Sequence, residues 1–168
     1  SADEKLRQEI LDKVREYHAL AHRRKVFEPG KTRVAYSGRV YDDTDMVNLV
    51  SSSLDFWLTA GPYSEKFEDT MRRHFKARDF LLVNSGSSAN LLMVSTLCSP
   101  QIDENLSDSP LRHLVDGDEV ITPAVTFPTT LAPILQNRLV PVFVDCEGGT
   151  YNINPDLVEA AIGPRTKA

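Results

Sequence analysis

The sequence has few of the features that mark several large classes of protein. Only two cysteines are present, Cys98 and Cys146, and their wide separation fits neither a disulfide framework nor a metal-binding motif. No apolar run approaches the length needed to cross a membrane. The N-terminus opens into a charged helical pattern and lacks the apolar core of a signal peptide. Reduced cysteines in a cytoplasmic protein are therefore predicted.

Clustered basic charge is also scarce. The net charge is −5, and no basic block suited to a nucleic-acid backbone is present, which disfavours DNA or RNA as a partner. Hydrophobic residues make up 41% and charged residues 26% of the chain, the composition of an ordinary globular protein. Its 168 residues suffice for one compact domain.

The stretch 80–92 is the most informative segment of the sequence. Its first four residues are apolar and predict a strand buried on both faces. A Ser-Gly-Ser-Ser turn at 85–88 interrupts the run, and residues 89–97 predict a helix. Free N–H groups and the helix dipole at such a turn favour an anion, and phosphate is the natural ligand. A serine N-cap without any ligand fits the local pattern equally well. The turn also lacks the lysine of a nucleotide P-loop and the glycine spacing of a dinucleotide fingerprint.

The residues before this stretch predict helices separated by an irregular arm. Residues 3–21 carry apolar side chains along one helical stripe. Residues 22–42 contain a basic run and tyrosines, which either grip a phosphorylated ligand or, more commonly, form solvated surface. A second helix is predicted to begin after Asp42 and to bury apolar residues as far as Leu58.

Short strands and helices alternate in the second half. Residues 99–117 predict a long surface loop, 119–123 and 140–144 predict strands, and 131–137 and 155–162 predict helices. The last three residues of the chain predict the start of another strand. This order is typical of an α/β fold with a mostly parallel sheet.

Two features follow predicted strands at their carboxyl ends, where ligands of such sheets bind. The 85–88 turn follows the first strand, and Phe127 follows the strand at 119–123. Together they predict a site for a phosphate beside a flat ring, with Phe127 as the stacking face. Packing of Phe127 in the core is the alternative.

Four segments of the second half of the chain form a recognisable set: Asn-Ser-Gly-Ser-Ser-Ala-Asn at 84–90, Gly-Asp-Glu-Val-Ile-Thr-Pro at 117–123, Phe-Pro-Thr-Thr at 127–130 and Pro-Val-Phe-Val-Asp at 141–145. They resemble the sugar aminotransferase and dehydrase family of fold-type-I PLP enzymes. The serine turn combined with Phe-Pro-Thr-Thr is most similar to the CDP-4-keto-6-deoxyglucose 3-dehydrase branch. The resemblance implies that Gly86, Ser87 and Ser88 hold the cofactor phosphate and that Phe127 stacks on the pyridine ring.

The same resemblance implies the N-terminal part of a fold-type-I PLP-dependent transferase. Helices at the N-terminus would precede a mostly parallel sheet with flanking helices. Residues 1–63 are expected to form the helices and the arm, and residues 64–168 the start of an incomplete PLP-binding domain. Because family members run well beyond this length, the chain is expected to be a fragment that is inactive alone. No catalytic or metal-binding residue is predicted within it.

The implied function is C3 deoxygenation of a CDP-4-keto-6-deoxyhexose with PMP or PLP as cofactor, in dideoxysugar and lipopolysaccharide biosynthesis. Tyr63 and Thr129 are candidate substrate contacts. A homodimer, a 2Fe–2S cluster with ligands outside this chain, and an iron–sulfur flavin reductase are further implications. Two alternatives stay open: a PLP-dependent nucleotide-sugar aminotransferase and a non-catalytic binding or dimerisation module. The His or Lys that separates dehydrase from aminotransferase is not reached by this chain.

Overall fold

The computed structural model describes residues 1–23, 26–105 and 111–168. The chain divides into two compact units, Ser1–Leu82 and Val83–Ala168, and each is described by itself. Residues 24–25 of the predicted arm and 106–110 of the predicted loop lie outside the described residues. The expected domain boundary after residue 63 stays a prediction.

The described residues of the first unit form three helices. They are α1 at Ala2–Ala21, α2 at Asp43–Leu54 and α3 at Pro62–Phe75. The helical prediction for residues 3–21 is confirmed, and α1 packs against α2. Arg7 ties the two helices together, because its Nη2 donates to the backbone oxygen and the hydroxyl of Ser51 at 2.7 and 2.8 Å. The described part of the arm between α1 and α2 has no helix or strand, as predicted.

The start of α2 follows the prediction, but its end does not. The Asp42 carboxylate accepts the N–H of Thr44 at 2.8 Å, which caps the helix as expected. The helix ends at Leu54, so Trp57 and Leu58 lie beyond it and are 64% and 78% exposed instead of buried. A run of serines precedes this end, and the hydroxyls of two of them donate to one carbonyl of the preceding turn. Such side chains compete with the helical backbone, which explains the early end.

The strand predicted over 80–83 is not formed in the described structure. Leu81 and Leu82 are 70% and 45% exposed, so the segment is not buried on both faces. It packs on α3 instead: the Phe80 ring contacts the Phe67 ring at a centroid distance of 6.1 Å. The Leu82 N–H donates to the Glu68 carboxylate at 2.8 Å, so a side chain takes the bond that a neighbouring strand would make.

The second unit alternates helices and strands, as the sequence predicts. Its elements are α4 at Gly86–Leu97, α5 at Gln101–Asn105, β1 at Glu119–Pro123, α6 at Pro128–Gln136 and β2 at Val140–Val144. The short α5 lies within the segment predicted to be a loop. The predicted helix at 155–162 forms only as two single-turn 3₁₀ helices.

The two strands are parallel, which confirms the predicted sheet type. Their register pairs Glu119 with Val140 and Pro123 with Val144. The end of the chain lies along the other edge of β1, where the Ile121 N–H donates to the Ala168 carbonyl at 2.8 Å. A parallel bridge joins Glu119 to Thr166, as expected for the start of a further strand. β1 is therefore the interior strand of this sheet.

A small apolar cluster holds α4, α6 and the sheet together. Leu114, Ile134 and Leu139 are its buried members, at 6%, 2% and 3% exposure. Val94, Cys98 and Val120 pack against them. Burial raises the pKa of the Cys98 thiol, and both cysteines are free thiols. Among the described residues, no helix combines the length and the hydropathy that spanning a bilayer requires.

Candidate functional site

The N-terminus of α4 is built by the serine turn. Ser85 is the N-cap, and its Oγ accepts the Ser88 N–H at 3.2 Å. The same oxygen lies 3.2 Å from the Ser88 hydroxyl and donates to it. The capping interpretation is thus correct for Ser85, and it accounts for only one of the N–H groups that a helix start leaves free.

Donors remain available beside this cap. Among the described residues, the N–H groups of Gly86 and Ser87 have no hydrogen-bond acceptor. The first turn of α4 carries no acidic residue that would neutralise the positive end of the helix dipole. A Cβ placed on Gly86 would meet no described atom within 4 Å outside its chain neighbours and its own helix backbone, so there is open space beside the Gly86 Cα. Capping by Ser85 and binding of an anion by its neighbours are therefore compatible in one turn.

Phe127 lies at the start of α6, after the carboxyl end of β1. It occupies the N-cap position in an extended conformation, and Pro128 begins the helix with a preset φ. Its side chain is 71% exposed, which contradicts the alternative that it packs in the core. The ring therefore has a face free to contact a ligand within this unit. Its stacking role stays a prediction.

A cleft between α4 and α6 brings several predicted residues together. Its volume is about 180 Å³, and it is lined by Ser87, Ser88, Leu91, Thr129, Ala132, Pro133 and Gln136. Ser87 and Ser88 come from the serine turn, and Thr129 lies two residues after Phe127. The structure thus places the predicted phosphate turn beside the first turn of α6.

Two side-chain contacts between α4 and α6 were not predicted. The Asn90 Nδ2 donates to the Thr129 carbonyl at 3.3 Å. At the opposite ends of the helices, the Ser95 hydroxyl donates to the Asn137 Oδ1 at 3.2 Å. Pairing across some forty positions leaves no local pattern in a sequence. Only Pro133, which removes a helical N–H, signalled that the Thr129 carbonyl needed another donor.

Tyr63 belongs to the first unit, at the second position of α3. It lines a cavity of 510 Å³ together with Phe56 and Trp57. Its hydroxyl donates to Asp55 Oδ2 at 3.3 Å, and the side chain is 52% exposed. Its contact with a substrate stays a prediction.

An ion pair and a backbone hydrogen bond to a carboxylate fix the segment that leads into β1. Both terminal nitrogens of Arg112 donate to the Asp118 carboxylate at 2.9 Å, and these bonds hold the pKa of Asp118 below its ordinary value of 3.8. The backbone N–H of His113 donates to Asp103 at 2.8 Å and is the main cause of the lowered pKa of Asp103. These charged groups anchor the framework of the unit and line no part of the α4–α6 cleft.

Comparison with known proteins identifies the family. The model of the DegT/DnrJ/EryC1/StrS aminotransferase family matches residues 41–168. The chain belongs to this family. The resemblance inferred from the serine turn and the Phe-Pro-Thr-Thr segment is therefore confirmed.

Named relatives include nucleotide-sugar dehydratases. The chain is 48% identical over 95% of its length to a dTDP-4-dehydro-2,6-dideoxy-D-glucose 3-dehydratase of Saccharopolyspora spinosa. It is 42% identical over 97% of its length to the lipopolysaccharide biosynthesis protein RfbH of Salmonella typhimurium. These matches take in 33% and 36% of the two relatives, so the chain spans about a third of their length.

Solved structures of the family have the same fold. An E. coli GDP-4-keto-6-deoxy-D-mannose 3-dehydratase with bound hydrated PLP matches with a TM-score of 0.61 and 31% identity. The match covers 77% of this chain and 31% of the other. The predicted fold class, part of a fold-type-I PLP enzyme, is confirmed.

Proposed function

We propose that this chain is the N-terminal part of a PMP- or PLP-dependent nucleotide-sugar 3-dehydratase. The observation that carries the proposal is the turn at the start of α4, where the N–H groups of Gly86 and Ser87 have no acceptor among the described residues. The high identity to a 3-dehydratase and the PLP bound in a solved relative support the same conclusion.

The residues at this turn fit a phosphate group. The N–H groups of Gly86 and Ser87 and the hydroxyls of Ser87 and Ser88 supply donors, and no carboxylate in the first turn opposes an anion. Ser85 keeps the turn in shape by accepting the Ser88 N–H. Phe127 would lie against the pyridine ring and keep it in plane. When bound, that ring supplies an electron sink for cleavage of a bond next to a sugar carbonyl.

The proposed substrate is a keto-deoxy sugar attached to a nucleoside diphosphate. The names of the relatives specify dTDP in one case and GDP in another, so they favour this class and not one nucleobase. A CDP-4-keto-6-deoxyhexose remains the prediction from the sequence resemblance. RfbH supports a place in lipopolysaccharide biosynthesis. Thr129 in the cleft and Tyr63 in the first unit are the proposed substrate contacts.

Other parts of the proposal rest on the family resemblance alone. They are a homodimer, a cytoplasmic location, a 2Fe–2S cluster and a reductase that supplies electrons. The chain spans about a third of its relatives, which supports the expectation that catalytic residues lie outside it and that it is inactive alone.

Changing Ser87 and Phe127 together to alanine in the full-length protein is expected to speed cofactor loss. A charge-assisted hydrogen bond and an aromatic contact disappear, so dissociation should accelerate about a hundredfold. Cofactor absorbance remaining after timed dialysis measures the effect. Phe143→Ala is the matched control, since Phe143 is also an exposed aromatic of this unit, at 53% against 71% for Phe127. Equal retention by the double variant and the wild type would contradict the assignment.

The reaction itself is tested by the product. The full-length protein, loaded with PMP and supplied with a reducing system, is incubated with a 4-keto-6-deoxy nucleotide sugar. A product that has lost the 3-hydroxyl oxygen supports the dehydratase. A product that carries a new amino group, formed with glutamate as donor, would assign the protein to the aminotransferases instead.

A further inference from the structure

Helix α6 contains a proline that leaves one of its own carbonyls without a helical donor. Pro133 lies inside the helix and is buried. The carbonyl four residues earlier, that of Thr129, would normally accept the N–H at position 133, and proline has none. Thr129 is half-buried, and an unpaired carbonyl at such a place is destabilising, so a donor from another element is favourable.

Asn90 of α4 supplies that donor. Its Nδ2 lies 3.3 Å from the Thr129 oxygen, and the contact is partly buried. Thr129 is in the first turn of α6, directly after Phe127 and Pro128. Asn90 is in the second turn of α4, two residues after the serine turn. One hydrogen bond therefore joins the helix that carries the proposed phosphate donors to the turn that carries the proposed stacking ring.

A second contact joins the same helices at their other ends. The Ser95 hydroxyl donates to Asn137 Oδ1 at 3.2 Å, and the Asn137 Nδ2 donates to the Pro133 carbonyl at 2.8 Å. Both contacts are partly buried, although the Asn90 amide donates to a backbone oxygen and the Ser95 hydroxyl donates to a side-chain oxygen. Only the Asn90 contact lies at the end with the serine turn and Phe127.

We propose that Asn90 is a positioning residue of the cofactor site. It holds the first turn of α6 in a fixed place relative to the first turn of α4, and so sets the spacing between the phosphate donors and Phe127. This inference rests on the proposed function, because it assumes that both turns contact one cofactor. An amide is required at the position: aspartate has the same shape but no N–H, and its charge would repel the Thr129 carbonyl.

The test separates positioning from simple satisfaction of the carbonyl. Asn90→Ala in the full-length protein is expected to lower the melting temperature and to speed dissociation of PMP about tenfold, the size of one lost hydrogen bond. Ser95→Ala should lower the melting temperature similarly and leave the dissociation rate within about twofold. Asn90→Asp should behave like Asn90→Ala in dissociation, because it also lacks the donor.

Combining Asn90→Ala with Pro133→Ala distinguishes the positioning role of Asn90 from its role as a donor to the Thr129 carbonyl. Alanine restores the N–H at position 133, so the Thr129 carbonyl can be satisfied within α6. In Asn90→Ala/Pro133→Ala the melting temperature should recover relative to Asn90→Ala, while PMP dissociation stays fast because no hydrogen bond joins position 90 to the first turn of α6. Pro133→Ala alone, which keeps Asn90, should retain PMP.

Three results would overturn the proposal. The first is that Asn90→Ala releases PMP as slowly as the wild type does, while Ser87→Ala releases it quickly. The proposed function would then stand, and the role of Asn90 would not. The second is that Asn90→Ala/Pro133→Ala retains PMP as well as the wild type does. Asn90 would then serve only as the hydrogen-bond donor to the Thr129 carbonyl. Failure of the wild-type protein to retain PMP at all would instead remove the proposed function and this inference with it.

Discussion

Ile134→Ala is expected to lower the free energy of unfolding by about 3 kcal/mol. Ile134 is 2% exposed and packs with Leu114 and Leu139 where α6 meets the rest of its unit. Shortening it removes apolar contacts and leaves a cavity that the neighbouring backbone cannot fill completely. Because α6 also carries Phe127 and Thr129, the variant should lose cofactor more readily as well. Urea denaturation of the full-length protein, followed by circular dichroism, measures the change in stability.

Leu135→Ala is the matched control for this prediction. Leu135 is the next residue of α6 and is 54% exposed. The same kind of truncation should change the free energy of unfolding by no more than about 0.5 kcal/mol at such a site. Equal losses for the two variants would contradict the location of the core at Ile134.

Asp118→Asn is expected to cost about 2–4 kcal/mol at neutral pH. The side chain is 8% exposed, and both of its oxygens accept bonds from Arg112. The Val115 N–H donates to Oδ2 as well, at 2.9 Å. An asparagine NH₂ group would therefore face a donor in either orientation, and the charge that strengthens the Arg112 bonds would be gone. The same urea experiment measures the loss.

The pH dependence of this loss has a definite sign. The folded-state pKa of Asp118 is lowered from its ordinary value of 3.8, chiefly by the Arg112 hydrogen bonds. Its contribution is present in full above that ordinary value and disappears as the pH falls through the lowered folded-state pKa. The stability difference between wild type and Asp118→Asn should therefore shrink in acid. Asp116→Asn removes an ion pair with Arg138 in which the Asp116 side chain is 66% exposed. This variant should lower the free energy of unfolding by less than about 1 kcal/mol at any pH. If the difference in free energy of unfolding between wild type and Asp118→Asn stayed constant as the pH fell to the point of acid unfolding, the ionised Asp118 carboxylate would not be the source of the stability.

The parts of the fold that the sequence predicts correctly are those set by local pattern. The alternation of strands and helices after residue 118 and the helix α1 each follow from spacing along one element. The strand expected at 80–83 is wrong because an apolar run specifies hydrophobicity, not a hydrogen-bonded neighbour. The Leu82 N–H bonds to Glu68, a partner that no local pattern indicates. The apolar residues Trp57 and Leu58 continue the helical spacing of α2 and so predict a longer helix. The serines before Leu54 favour an earlier end, because their hydroxyls bond to the backbone of the preceding turn.

In the candidate site, too, local sequence patterns predict some residues and not others. The serine turn and Phe127 could be found because both lie in segments that resemble the family, although the strand expected before the serine turn does not form. The Asn90 contact with Thr129 could not be found, since a hydrogen bond between distant residues depends on how α4 and α6 pack. Pro133 lies inside α6 and removes one helical N–H, but the donor that replaces it is visible only in the structure.

The absorption spectrum of the full-length protein tests the central claim most directly. The protein is incubated with PLP or PMP, passed through a desalting column and measured together with its intact mass. Stoichiometric cofactor absorbance in the wild type, clearly reduced in Ser87→Ala, is the result expected if the start of α4 holds the cofactor phosphate. A colourless wild-type protein, or equal absorbance in wild type and variant, would contradict it.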